Sequence, residues 1–196
     1  MTAAPEGLEA GKLLIATPAL VDPNFRHTVV LLLDADEDGA VGVVLNRPSP
    51  VPVDEVLPGW TEVLSGPTVL FQGGPVGTDS ALAVAGLSPA DGENPADSED
   101  PVGFRRLFGR TGIVDLDTPT ELMTPALTSM RVFAGYAGWG AGQLEDEIEE
   151  GSWYVVPLLP DDLFGAEPEG LWTRVLRRQP GELAWVSTRP LDPTMN

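Results

Sequence analysis

Two short runs limit this chain more than anything else in it: Thr28-Val29-Val30-Leu31-Leu32-Leu33 and Ala40-Val41-Gly42-Val43-Val44-Leu45. Both are apolar throughout rather than at every second residue, so both faces of each segment need cover. They read as central strands of a sheet packed on two sides. Between them lies only Asp34-Ala35-Asp36-Glu37-Asp38-Gly39, short enough for a hairpin. The sequence therefore predicts a second strand over 25–33 and a third over 40–45.

The remaining elements follow from the same signals. Gly11 to Pro18 reads as a first strand stopped by its proline, and Asp22-Pro23-Asn24 as a turn. Asn46-Arg47-Pro48 closes the third strand, and Pro48, Pro50 and Pro52 forbid its continuation. Val53 to Leu57 is a short helix, Thr68 to Gln72 a fourth strand running into Gly73-Gly74-Pro75, and Ala81 to Ala85 a fifth. Arg105 to Leu116 is strand material, and Thr118-Pro119-Thr120-Glu121 predicts a capping box opening a helix that Pro125 cuts. Trp153 to Val156 is a further strand and Asp161 to Phe164 a turn of helix. The best helix starts at Pro168 and buries Leu171, Trp172, Val175 and Leu176 on one face. Ala184-Trp185-Val186 reads as an edge strand. About seven strands, often in direct succession, with few helices predict an α+β fold in one domain over 1–196. An acidic, proline-broken loop at 88–101 has too little apolar content to pack.

The stretch from Arg131 to Ile148 looks like the centre of the fold. It reads as an apolar strand, a glycine-rich turn carrying Tyr136 and Trp139, and an acidic helix with Leu144 and Ile148 inward. Strand, glycine turn and helix suggest a dinucleotide loop, but the third glycine of G-x-G-x-x-G is Gln143 or Glu145, depending on the start. Glu145, Asp146 and Glu147 already occupy the helix N-terminal turns and would repel a phosphate.

Other chemistries are poorly provided for. The chain has no cysteine and one histidine, His27, which removes thiolate catalysis, disulfides and histidine-rich metal sites. No G-x-S-x-G elbow is present. Asp34-Ala35-Asp36-Glu37-Asp38-Gly39 matches half a calcium loop, yet the closing glutamate position is Leu45, inside a strand, so a solvated hairpin tip is the better reading and no metal or cofactor is expected. Thirty acids against eleven bases give a net charge of −19, a field that opposes nucleic acid. Arg105-Arg106 with Arg110, and Arg174 with Arg177-Arg178, read as solvated faces. No run approaches the ~20 apolar residues of a membrane span, and the start of the chain lacks a secretory pattern. A cytoplasmic monomer without membrane association is expected.

Several segments together resemble the YqgE/AlgH family of bacterial proteins: Gly11 to Pro18, Asp22 to Arg26, Gly39 to Pro48, Gly73 to Val76, and Arg131 to Ile148, with Trp153 and Trp172. The resemblance implies an α+β fold with a bifurcated, mixed or antiparallel sheet folded as a pseudo-barrel with a few flanking helices. It supplies no catalytic residues. Nor does it supply an activity, since the family's "transcriptional regulator" label comes from a genetic association with alginate synthesis.

The matched motifs suggest one shared ligand cleft from three strand ends: Asn46 and Arg47, Gly73 and Gly74, and Trp139 with Gln143. A non-enzymatic binding or regulatory module for a small molecule or protein segment is the first reading. A carboxylate enzyme using Glu145 or Glu147 on a small molecule is the second, and a transcriptional regulator that does not bind DNA directly is the third.

Overall fold

The computed structural model describes residues 7–89 and 99–188. Its strands are β1 (Lys12–Ala16), β2 (Val29–Asp36), β3 (Gly39–Val44), β4 (Pro48–Pro52), β5 (Val69–Gln72), β6 (Val76–Leu87), β7 (Phe104–Phe108), β8 (Thr111–Val114), β9 (Leu127–Gly140) and β10 (Trp153–Pro157). The helices are short: α1 (Val53–Val56), α2 (Thr120–Met123), α3 (Gln143–Glu149), α4 (Pro160–Phe164), α5 (Leu171–Arg177) and α6 (Glu182–Val186). The strands join in the order β10-β1-β2-β3-β9-β6-β8-β7, with β4 and β5 as a branch on β9. All pairings are antiparallel except β5 with β9. The result is a curled half-barrel of α+β class, as the sequence predicts.

β1, β2 and β3 bury both faces, which is why their sequences are unbroken apolar runs. Leu13, Ile15, Val29, Leu31 and Val43 pack on one side with Leu171, Trp172, Val175 and Leu176 of α5. Each such side chain contributes about 1.5–3 kcal/mol on burial. Leu14, Ala16, Val30, Leu32 and Val44 face the other way, toward Trp139, Leu144 and Trp153. A third cluster under β6 and β9 gathers Val53, Trp60, Ala83, Ala85, Met123, Met130 and Val132. The curl brings the ends of the sheet together. Phe108 of β7 packs into the first cluster, and a Cβ on Gly11 would stand 2.9 Å from its ring.

The sheet forks on β9. One edge of β9 pairs β5 at Phe133 and Ala134, then β3 from Ala137 to Gly140. Gly73 sits in the crotch: its N–H donates to Ala134 O at 2.9 Å, and its carbonyl accepts Val44 N–H at 2.9 Å. A Cβ there would lie 2.2 Å from Gly135 O, and one on Gly74 would lie 2.2 Å from the Tyr136 carbonyl. Three backbone segments meet too closely for side chains, and only glycine fits.

Several expectations are corrected. The glycines after Phe133 form no turn: β9 runs through them to Gly140, with Gly135 held at φ +72° inside the strand. Burial of Phe133, Gly135, Ala137 and Trp139 keeps the period of two across them. β3 ends at Val44, before the prolines, and Pro48–Pro52 forms a separate edge strand, β4, where missing N–H groups cost no ladder bonds. β2 starts at Val29, because residues 22–27 are wound into a turn by bonds from Phe25 N–H and Arg26 N–H to Asp22 O. The capping box is absent: α2 begins after Pro119 with no side-chain cap. Residues 184–186 belong to helix α6, since Leu183 and Val186 pack inward three residues apart while Trp185 stands out. Among the described residues the strands number ten rather than about seven; the strand material at 105–116 is a hairpin (β7 and β8), and β4 is a further strand. Most of the acidic segment, residues 90–98, lies outside the described residues.

Candidate functional site

Asn46 follows β3, and both ends of its amide bond to backbone. Its Oδ1 accepts Val29 N–H at 2.9 Å, and its Nδ2 donates to His27 O at 2.8 Å. The next residue, Arg47, reaches the same turn: Nη1 donates to Asn24 O at 2.6 Å, Nη2 to Pro23 O at 2.9 Å and to Arg26 O at 3.2 Å. Burial lowers the Arg47 pKa, with nearby Asp22 opposing it in part. Together these two side chains clamp the 22–27 turn. The turn is tight enough to hold His27 at φ +55° with its ring edge-on to Trp172, 4.9 Å between centroids. Burial, and then Arg26, lower the His27 pKa.

The clamped turn delivers Phe25 to two indoles. Phe25, Trp139 and Trp153 pack mutually, with centroids 5.6 to 6.0 Å apart. Beneath them one carboxylate holds both tryptophans: Glu147 Oε2 accepts Trp153 Nε1–H at 2.8 Å and Trp139 Nε1–H at 3.0 Å. Its other oxygen accepts Gln143 Nε2–H at 3.0 Å, while Gln143 Oε1 accepts Gly140 N–H at 3.1 Å. Asn46, Arg47, Trp139 and Gln143 thus belong to one continuous frame, linked through Phe25 and Glu147. Gly73 and Gly74 lie at the fork of the sheet. Glu145 makes no comparable contact among the bonds found, and Glu147 is occupied in holding indoles.

This frame backs an open groove. Immediately before Trp153, Ser152 N–H donates to Glu147 O, and Ser152 O accepts Thr17 N–H at 2.9 Å. Thr17 Oγ1 also donates to Gly151 O at 2.7 Å. Thr17, Pro18, Ala19, Gly151 and Tyr154 form the floor and Glu182, Leu183, Trp185 and Val186 of α6 the wall of a groove of about 820 Å³. Trp185 is 77 % exposed over it. A second groove of about 780 Å³ lies between β4 and residues 166–170. Neither is lined by the six residues expected from sequence. Reading Trp185 as strand hid the first; the i, i+3 spacing of Leu183 and Val186 was the available signal.

Arg131 is the other residue whose role the sequence does not disclose. It is 2 % exposed, has its guanidinium carbon 4.3 Å from the Phe71 ring centroid, and donates to Leu163 O, Gly66 O and Gly165 O. Its Nε–H is buried without a partner. Burial pushes its pKa down to about 10, still charged at neutral pH. Arg106 pairs with Asp100. Arg178 corrects the reading of its group as a solvated face, because both its Nη groups donate to Asp162, whose carboxylate is buried. At the β2–β3 tip, Asp36 Oδ1 accepts Asp38 N–H, and among the described residues no three acids or histidines gather to hold a metal. No helix among them is long and apolar enough to cross a membrane.

Comparison with known proteins matches residues 13–184 to the AlgH-like family model. A UPF0301 protein of Streptomyces avermitilis is 57 % identical over 95 % of this chain and 94 % of its own length. One from Thermobifida fusca is 54 % identical over 95 % and 94 %. A crystal structure of a Corynebacterium diphtheriae protein, DIP2367, superposes with TM-score 0.84 at 34 % identity, covering 96 % of this chain and 95 % of that one. The solution structure of AlgH from Pseudomonas aeruginosa gives 0.67 at 27 %, covering 97 % and 98 %. These names attach no activity to the family. By sequence over nearly its whole length and by fold, the chain belongs to the AlgH-like family.

Proposed function

We propose that this protein is a non-enzymatic binding module of regulatory role in the cytoplasm, whose ligand seat is the groove between Thr17, Gly151 and α6. The observation that carries this reading is the frame behind the groove. The side chains best suited to chemistry, Asn46, Arg47, Trp139, Gln143 and Glu147, are spent on fixing backbone and indoles. They form a support that holds a surface rigid, and binding gains from such preorganisation. On this reading Gly73 and Gly74 act at one remove, by closing the fork that aligns β3 with β9. Regulation through a bound segment fits a chain of net charge −19 better than contact with DNA.

The test is backbone and indole NMR shift mapping against a metabolite library and a set of short peptides, with the concentration of each hit followed over time. Binders are expected to move Thr17, Gly151, Tyr154 and the Trp185 indole while remaining unconsumed. Hits confined to other surfaces overturn the groove, and steady conversion of a hit replaces the binding module with an enzyme.

A further inference from the structure

Resting on the groove just proposed, we infer that its occupant is an arginine-bearing segment of a basic partner protein. Three features of the lining select that chemistry. Trp185 and Tyr154 offer π faces, and a guanidinium stacks on such faces as well as being attracted to them. Glu182 contributes a carboxylate on the same wall, able to take two parallel N–H bonds from one guanidinium. Leu183, Val186 and Pro18 supply apolar contact for the three-carbon stem that an arginine carries behind its charge.

The surroundings favour a cation as well. Glu149 and Glu150, both exposed, directly precede Gly151 of the groove floor, and the chain as a whole carries −19. Such a field steers basic partners toward the surface and repels acidic ones. A volume of about 820 Å³, open along the surface, exceeds what one side chain fills. A peptide segment with flanking backbone suits it better than a free amino acid.

The experiment titrates fluorescein-labelled hexa-arginine, hexa-lysine and hexa-glutamate peptides into the full chain at low and at physiological salt. Wild type is compared with Trp185→Ala, Glu182→Gln and a charge control, Glu62→Gln, at an exposed acid outside the groove. Trp185 is largely exposed, so its replacement leaves the fold intact, which circular dichroism checks. Hexa-arginine is expected to bind tightest, weakening by about tenfold in Trp185→Ala, severalfold in Glu182→Gln and less than twofold in Glu62→Gln. Equal losses in all three variants, or none in Trp185→Ala, would reduce the effect to general polyanion attraction and overturn the inference. Displacement by free arginine at equal affinity overturns the peptide occupant. Neutral or acidic library members mapping to the groove while hexa-arginine does not would remove this inference and leave the binding module standing. No ligand at the groove in either experiment removes both.

Discussion

Removing the Glu147 carboxylate tests the frame directly. Glu147→Ala strands two indole N–H groups, those of Trp139 at 6 % exposure and Trp153 at 3 %. A buried donor left without its acceptor costs about 1–3 kcal/mol, so two give about 2–6. Some water reaches the site once the side chain is cut back, and Gln143 is exposed enough to re-solvate. About 3 kcal/mol is therefore expected. For a domain of this size that corresponds to a fall in Tm of about 6–12 °C. Glu147→Gln retains one acceptor oxygen but loses the charge that strengthens both bonds, and should cost about 1 kcal/mol. The assay is urea unfolding followed by tryptophan fluorescence and circular dichroism. A double-mutant cycle with Trp153→Phe isolates one bond, because phenylalanine deletes the donor and the packing lost with the smaller ring cancels in the cycle. Coupling of about 1 kcal/mol is expected. A Glu147→Ala protein within about 0.5 kcal/mol of wild type, or a cycle with no coupling, refutes the claim that the carboxylate holds the aromatic trio.

Gly74→Ala places a Cβ 2.2 Å from the Tyr136 backbone and should cost more than about 4 kcal/mol, whereas Gly142→Ala, with the same left-handed bias but open space, should cost only about 1–2; comparable unfolding midpoints for the two would discredit the fork. Arg131→Met leaves the Leu163, Gly66 and Gly165 carbonyls without their donor while relieving a buried charge, for a net loss of about 2–4 kcal/mol. An unchanged urea midpoint would show that the two effects cancel and that Arg131 adds no net stability. For His27 the folded pKa lies below the unfolded 6.5, so the unfolded chain takes up the proton first. Its contribution is complete above 6.5, declines as pH falls below that value, and levels off under the folded pKa. His27→Gln should flatten this part of the stability curve relative to wild type; parallel curves between pH 5 and 7 would count against it.

How much of this could be read beforehand depended on whether one local signal decided the outcome. The apolar runs of β2 and β3 and the stripe on α5 were legible because burial alone dictates them. The glycines of β9 were not, since the same residue that permits a turn also permits close strand packing. What separates the two is the neighbouring backbone: Gly73 and Gly74 meet Gly135 and Tyr136 across some sixty residues of chain, and no local window contains both partners. The separate strand at Pro48–Pro52 was hidden for a related reason, because proline is barred from a ladder only where its nitrogen faces a partner. Asn46, Arg47, Trp139 and Gln143 are polar or aromatic residue types lying near the ends of β3 and β9. Their destination did not follow from type. Asn46 and Arg47 bind backbone between residues 23 and 29, so their polar groups turn inward to the chain and not outward to a ligand.

The inward commitment of these polar groups bears on where binding can occur. A surface whose donors and acceptors are already paired offers a ligand little beyond contact area, since each new bond must break an old one. The groove beside α6 differs in the apolar surface it leaves uncovered. Its floor is fixed by Thr17 to Gly151 and Ser152, both bonds within the chain, while the Trp185 ring projects into solvent. Burying that ring is favourable for any partner that can cover it. Rigidity beneath and unspent surface above are separate requirements, and here they meet through one peptide. Ser152 joins Glu147 of the frame to Thr17 of the floor, so the order imposed by Asn46, Arg47 and the aromatic trio reaches the groove through backbone bonds. On the proposed reading, the family motifs on the frame would govern shape and the groove beside it would govern choice of partner.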